Sequence, residues 1–162
     1  MDHNDRPIRY MERTRLYYRA LGYESDYVWA HFDDVPFTQL KKPLAELRIG
    51  LVTTAGPPGG YRRDAKGQRH VWSGDVTPAP DRLSTDNLAW DRETTHTDDR
   101  ASFLPIEAAQ EWAASGRFAG LAAHFHGTPT EYSQRKTIDE DAPQVLARLR
   151  DDGADAAILC PL

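Results

Sequence analysis

Three apolar runs constrain the fold of this chain more than any other feature: Arg48 to Ala55 (RIGLVTTA), Phe118 to His126 (FAGLAAHFH) and Asp155 to Leu162 (DAAILCPL). Each is continuous rather than alternating, the pattern of a strand covered on both faces in a parallel sheet. Helical stretches separate the second and third runs from what precedes them. One opens at Pro105, runs to Ala114 or Ser115 and is closed by Gly116. The other is expected to start at Thr137, with Glu140 three residues on as a capping box, and to reach Gly153 with Pro143 in its first turn. Strand, helix, strand, helix, strand predicts an α/β fold of three layers around a mainly parallel sheet.

Ahead of the first run, apolar and basic positions at helical spacing predict a helix over residues 7–22, with Pro7 at its first turn and Gly22 at its end. Tyr27 to Phe32 reads as a short strand, and Lys42 to Leu47 as a short helix behind Pro43. The expected organisation is one domain, with residues 1–47 as a helical arm and 48–162 as the sheet core. Between Gly56 and Arg100 the chain is turn-rich, with a weak strand at Arg69 to Trp72. A loop of this length is usually functional.

Composition narrows the function. The 162 residues are 40% hydrophobic, enough for one core. The net charge is −5, with 20 basic residues scattered among 25 acidic ones, so no basic stripe offers itself to nucleic acid. No apolar stretch approaches the roughly 20 residues that cross a bilayer, and the first ten residues lack the apolar core of a secretory signal. Neither a membrane nor a nucleic-acid partner is expected, and the expected location is the cytoplasm. Cys160 is the only cysteine, which excludes an internal disulfide and an all-cysteine zinc site.

Ligands of open α/β sheets sit beyond the carboxyl ends of the strands, so the residues closing each run are the candidates for chemistry. Thr53, Thr54 and Gly56 close the first and could cradle an anion with hydroxyls and backbone N–H groups. They equally fit a strand end and a tight turn. His124 and His126, two apart on a strand, project to one face. With His96 of the THTDD loop they could form a three-histidine metal site; as single residues they fit hydrogen-bonded structural groups or general acid/base catalysts. Asp98 and Asp99 could orient a histidine. Cys160 reads as a small buried hydrophobe, set where a reactive group would stand.

Several strings in fixed order resemble the selenoprotein B family of glycine, sarcosine, betaine and D-proline reductases. They are YMERTRLYYRALGY (Tyr10 to Tyr23), WAHFDDVPFTQLKKPLAELRIGLVTTAGP (Trp29 to Pro57), THTDDRASFLPIEAAQEWAASGRFAGLAAHFHG (Thr95 to Gly127) and APQVLARLRDDGADAAILCPL (Ala142 to Leu162). In that family the last string continues into a cysteine or selenocysteine, a short Pro-x-Cys-His-like segment and a further helix. The resemblance therefore implies a selenocysteine directly after Leu162, encoded by UGA, and a chain that is truncated at this point.

The implied activity is reductive cleavage of a carbon–nitrogen bond in a small amino-acid-like substrate by a selenol or thiol nucleophile. An activating or redox partner subunit would assist, and exposed strand ends point to a homo-oligomer. No bound cofactor or metal is expected. The resemblance makes Cys160, His124 and His96 the catalytic candidates, and Thr53, Thr54, Gly56, Asp98 and His126 the substrate-binding ones. The chain departs from the family at Phe125, His126 and Gly127, where many members carry an aromatic segment. Two other classes stay open: a metal-dependent hydrolase or lyase built on the histidines, and a non-catalytic domain that binds a small ligand.

Overall fold

The computed structural model describes residues 7–26, 28, 30–36, 38–131 and 133–162. The chain divides into two compact units, Met1–Phe37 and Thr38–Leu162. The first contains helix α1 (Tyr10–Ala20). The expected helix over 7–22 is therefore shorter at its start, with Pro7 outside it. The N–H of Gly22, in the left-handed region at φ 88°, donates to Arg19 O at 3.0 Å and closes the last turn. The expected strand from Tyr27 to Phe32 is not found at the positions described, Val28 and 30–32. Tyr27 and Trp29 lie outside the described residues.

The second unit holds a four-stranded sheet. Its strands are β1 (Arg48–Thr53), β2 (Trp72–Asp75), β3 (Gly120–Gly127) and β4 (Ala156–Cys160), in the order β2-β3-β1-β4. β1 pairs in parallel with both β3 and β4, and β2 is antiparallel to β3. The mainly parallel α/β fold expected from the apolar runs is present. The weak strand expected at Arg69 to Trp72 starts instead at Trp72, and the short helix expected at Lys42 to Leu47 is a single 3₁₀ turn, Leu44–Glu46.

Alternation along β1 sorts the two faces. Ile49 and Leu51 point to one side, where they pack with Phe103, Leu104, Phe118, Phe125, and with Ile106 and Ala109 of helix α2 (Ile106–Ala114). Val52 points to the other, where Val71, Val145 and Leu149 surround it. Val145 and Leu149 belong to helix α4 (Ala142–Asp151). The layers are thus α2, sheet, α4. Close approaches in the sheet require glycine. A Cβ on Gly50 would run into the Leu149 side chain, and one on Gly127 into the Trp72 indole, whose Nε1 donates to Ala55 O at 3.1 Å.

The helix before β4 begins earlier than its capping-box signature suggests. Ser133 is the N-cap, its hydroxyl accepting from Lys136 N at 3.2 Å, and α3 (Gln134–Lys136) leads through a π turn (Thr137–Asp141) into α4. Thr137 is an interior residue of that stretch. Pro143 explains the π turn: lacking an N–H, it cannot make the regular helical bond, and the widened turn just before it absorbs the mismatch.

β4 also differs from the expected buried strand. It lies at the sheet edge, paired to β1 alone, with Ile158 48% and Leu159 71% exposed. α2 and α4 cover the middle of the sheet, so an apolar sequence at its margin stays open to solvent. The long loop from Gly56 to Arg100 is tied down at both ends. Gly56 bridges Ser84, and buried Arg100 donates to Pro80 O at 2.8 Å, to Leu104 O at 2.9 Å and to Glu107.

Candidate functional site

The carboxyl ends of β1 and β4 meet, as open-sheet geometry demands. Thr53 and Cys160 are register partners. Beside them, between the strand ends and α4, lies a cavity of about 400 Å³ lined by Val52, Thr53, Thr54, Thr128, Asp141, Val145, Leu149, Leu159 and Cys160, among others. Thr54 uses its hydroxyl to hold the chain beyond β4: its Oγ1 accepts from Leu162 N at 2.9 Å and faces Leu162 O at 3.4 Å. Thr53 is buried, and its Oγ1 accepts from Ala55 N at 3.2 Å. Gly56 bonds Ser84 in both directions, its N–H to Ser84 O at 2.7 Å and its O from Ser84 N at 3.1 Å. It braces the loop rather than presenting a bare N–H to a ligand.

Cys160 is partly buried against the core on the α2 side. Burial pushes its thiol above the ordinary cysteine range, which leaves it protonated at neutral pH. That is the reverse of what activates a nucleophile. No local sequence motif marks Asp141. It is 1% exposed, its Oδ1 accepts from Lys136 Nζ at 2.8 Å, and its Oδ2 has no hydrogen-bond partner. Tyr61 is half-buried, and burial raises its pKa to about 12.

A second constellation stands at the other edge of the sheet. His124 and His126 share the α4 face, as their spacing requires. Antiparallel pairing sets Ser73 opposite His126 and Asp75 opposite His124. Asp152, just past the end of α4, serves both histidines. It accepts from His124 Nδ1 at 2.9 and 3.1 Å, and its Oδ2 stands 3.5 Å from His126 Nε2. His124 Nε2 is 3.5 Å from Asp75 Oδ1. His126 is 1% exposed, and its Nδ1 lies 2.9 Å from Ser73 Oγ, to which Arg148 Nη1 donates at 2.9 Å. Burial, reinforced by Arg148 and His124 and opposed by Asp152, holds the His126 pKa below the ordinary imidazole value.

His96 and Asp98 are exposed in the loop before α2; Asp98 pairs with Arg82 at 3.0 Å, and Asp99 caps the turn at Arg100–Ser102 through Ala101 N. Among the described residues no three His, Cys, Asp or Glu side chains gather as a metal-holding group, so His96 does not complete a triad with His124 and His126. The expected residues thus fall into three places: Thr53, Thr54 and Cys160 at the cavity, His124 and His126 under α4, and Gly56, His96 and Asp98 in the loop from Gly56 to Arg100. Ser73, Arg148 and Asp152 escape sequence reasoning because strand register and the helix end assemble them, and no local motif marks either. No protein-family model, curated protein or solved structure matches the chain.

Proposed function

We propose that the chain is a subunit of a selenoprotein B-like reductase, which cleaves a carbon–nitrogen bond of a small amino-acid-like substrate. In this reading a selenolate or thiolate directly after Leu162 attacks the substrate carbon while the C–N bond breaks and the amine leaves with a proton. A thiol then attacks the selenium or sulfur, the carbon takes the released electron pair and a proton, and a second thiol restores the nucleophile, so a dithiol supplies the two electrons. Selenium suits the task because it ionises more readily than a thiol.

The observation that carries the reading is the bond from Leu162 N to Thr54 Oγ1 at 2.9 Å. It holds Leu162 at the carboxyl edge of the sheet, where the cavity bounded by Thr53, Thr54 and Cys160 lies, and this supports a nucleophile working at that edge. Cys160, protonated by burial, serves there as a wall. The string similarity supplies the nucleophile and the substrate class.

The gene tests this directly. A UGA codon after Leu162, followed in frame by a Pro-x-Cys-His-like segment, is the expected result. A UAA or UAG codon, or a continuation without that segment, overturns it. The read-through protein, with its partner subunit and a dithiol, is expected to release amine in step with dithiol oxidation.

A further inference from the structure

We propose that Ser73, His126 and Asp152 form an acyl-transfer relay in which Ser73 is the nucleophile, His126 the general base and Asp152 the positioning residue, acting on small carboxylic esters. The relay is independent of the reductase reading: Ser73 lies on β2, and two strands separate it from β4.

The hydrogen-bond directions follow from the partners. Arg148 Nη1 can only donate, so Ser73 Oγ accepts from it at 2.9 Å. A carboxylate can only accept, so the relay has the imidazole proton of His126 on Nε2, which faces Asp152 Oδ2 at 3.5 Å. Nδ1 is then an open lone pair 2.9 Å from Ser73 Oγ, and the serine O–H donates to it. Asp152 is itself held by His124 Nδ1 at 2.9 Å. The Nε2–Oδ2 separation exceeds a formed hydrogen bond, and His126 Nε2 has no other partner; such contacts often tighten only in the reacting complex. Ser73 is solvent-exposed while His126 is 1% exposed, so the base is shielded and the nucleophile reachable. Nucleophile, adjacent base and a third group orienting the base are the parts that activate a serine.

The step balances without a redox partner. As the Oγ–C bond to the ester carbonyl forms, the serine proton passes to His126 Nδ1. The carbonyl oxygen gains negative charge beside the Arg148 guanidinium, whose remaining N–H groups can donate to it. Collapse breaks the bond to the leaving oxygen, which takes the proton from Nδ1. Water, deprotonated by the same base, then hydrolyses the acyl-serine.

The test treats the full chain with a fluorophosphonate, in which serine attack on phosphorus expels fluoride, and maps the adduct by mass spectrometry. Ser73 is expected to label at least 100-fold faster than the other serines, and the Ser73 adduct to disappear in urea-unfolded protein. Ser73→Ala, at an exposed position, is expected to abolish the adduct and the burst of p-nitrophenol from p-nitrophenyl acetate. Asp152→Asn is expected to slow labelling and move the acid limb of its pH profile to lower pH, because the carboxylate raises the proton affinity of His126. Labelling of Ser73 no faster than the other serines, an unchanged burst in Ser73→Ala, or an unmoved acid limb in folded Asp152→Asn overturns the relay. The first two readings need no variant at the buried histidine.

Discussion

His126 sits where an imidazole is held neutral. It is 1% exposed beneath α4, faces Arg148 and His124, and has Asp152 as the opposing charge. With its folded pKa below the ordinary 6.5, the unfolded chain binds the extra proton first as pH falls. The contribution of His126 to stability is therefore complete above pH 6.5 and is lost as the pH drops from there toward its lower folded value. Urea unfolding at pH steps between 7.5 and 5 is expected to show a falling midpoint in the wild type. His126→Gln, which keeps a polar side chain without the titration, is expected to be less stable throughout but to show a flatter pH dependence. An identical slope in the two proteins would assign the acid sensitivity to other groups. At this scale the sequence reveals much and omits one thing. The spacing of His124 and His126 places both on one face, whereas Ser73, Arg148 and Asp152 join them only through register and a helix end.

Among the elements, the helical stretch before β4 departs furthest from its local signals. Thr137 and Glu140 stand at capping-box spacing, and Pro143 would fit a first turn, yet the stretch starts a turn earlier behind Ser133. Lys136 N donates to the Ser133 hydroxyl and Thr137 N to Ser133 O at 3.0 Å, bonds that local spacing cannot rank against the box. A side chain at the N-cap contributes about 1 kcal/mol. Ser133→Ala is expected to cost about that much in chemical denaturation, and Thr137→Ala markedly less, since no cap bond runs through its hydroxyl. Equal costs, or a larger one at Thr137, would return the helix start to the capping box. β4 carries the companion lesson: its apolar content identifies a strand, but only the strand order reveals that Ile158 and Leu159 lie at an open edge.

For the whole molecule, the question is where the cooperative stability resides. Every buried hydrophobic residue among those described lies between Leu47 and Leu149, inside the unit Thr38–Leu162. α1 buries none of its residues, although Tyr10, Met11, Leu16, Tyr17 and Tyr18 give it an apolar share. Burial of apolar surface is the dominant favourable contribution to folding, so a segment none of whose described residues enters either core adds little to the unfolding free energy of the monomer. The sheet, by contrast, is secured from both sides: Leu51 and Phe125 against α2, Val52 against α4, and Asp155, whose Oδ2 accepts from Arg48 N at 3.0 Å while Oδ1 accepts from Lys42 Nζ at 2.9 Å. Removing residues 1–37 is therefore expected to leave a single cooperative transition, with a melting temperature within about 4 °C of the intact chain, a shift worth about 1 kcal/mol or less in a domain of this size. Circular dichroism through a thermal scan measures it. A broad transition, or a fall well beyond that margin at equal protein concentration, would show that the first unit carries stability the two cores do not account for.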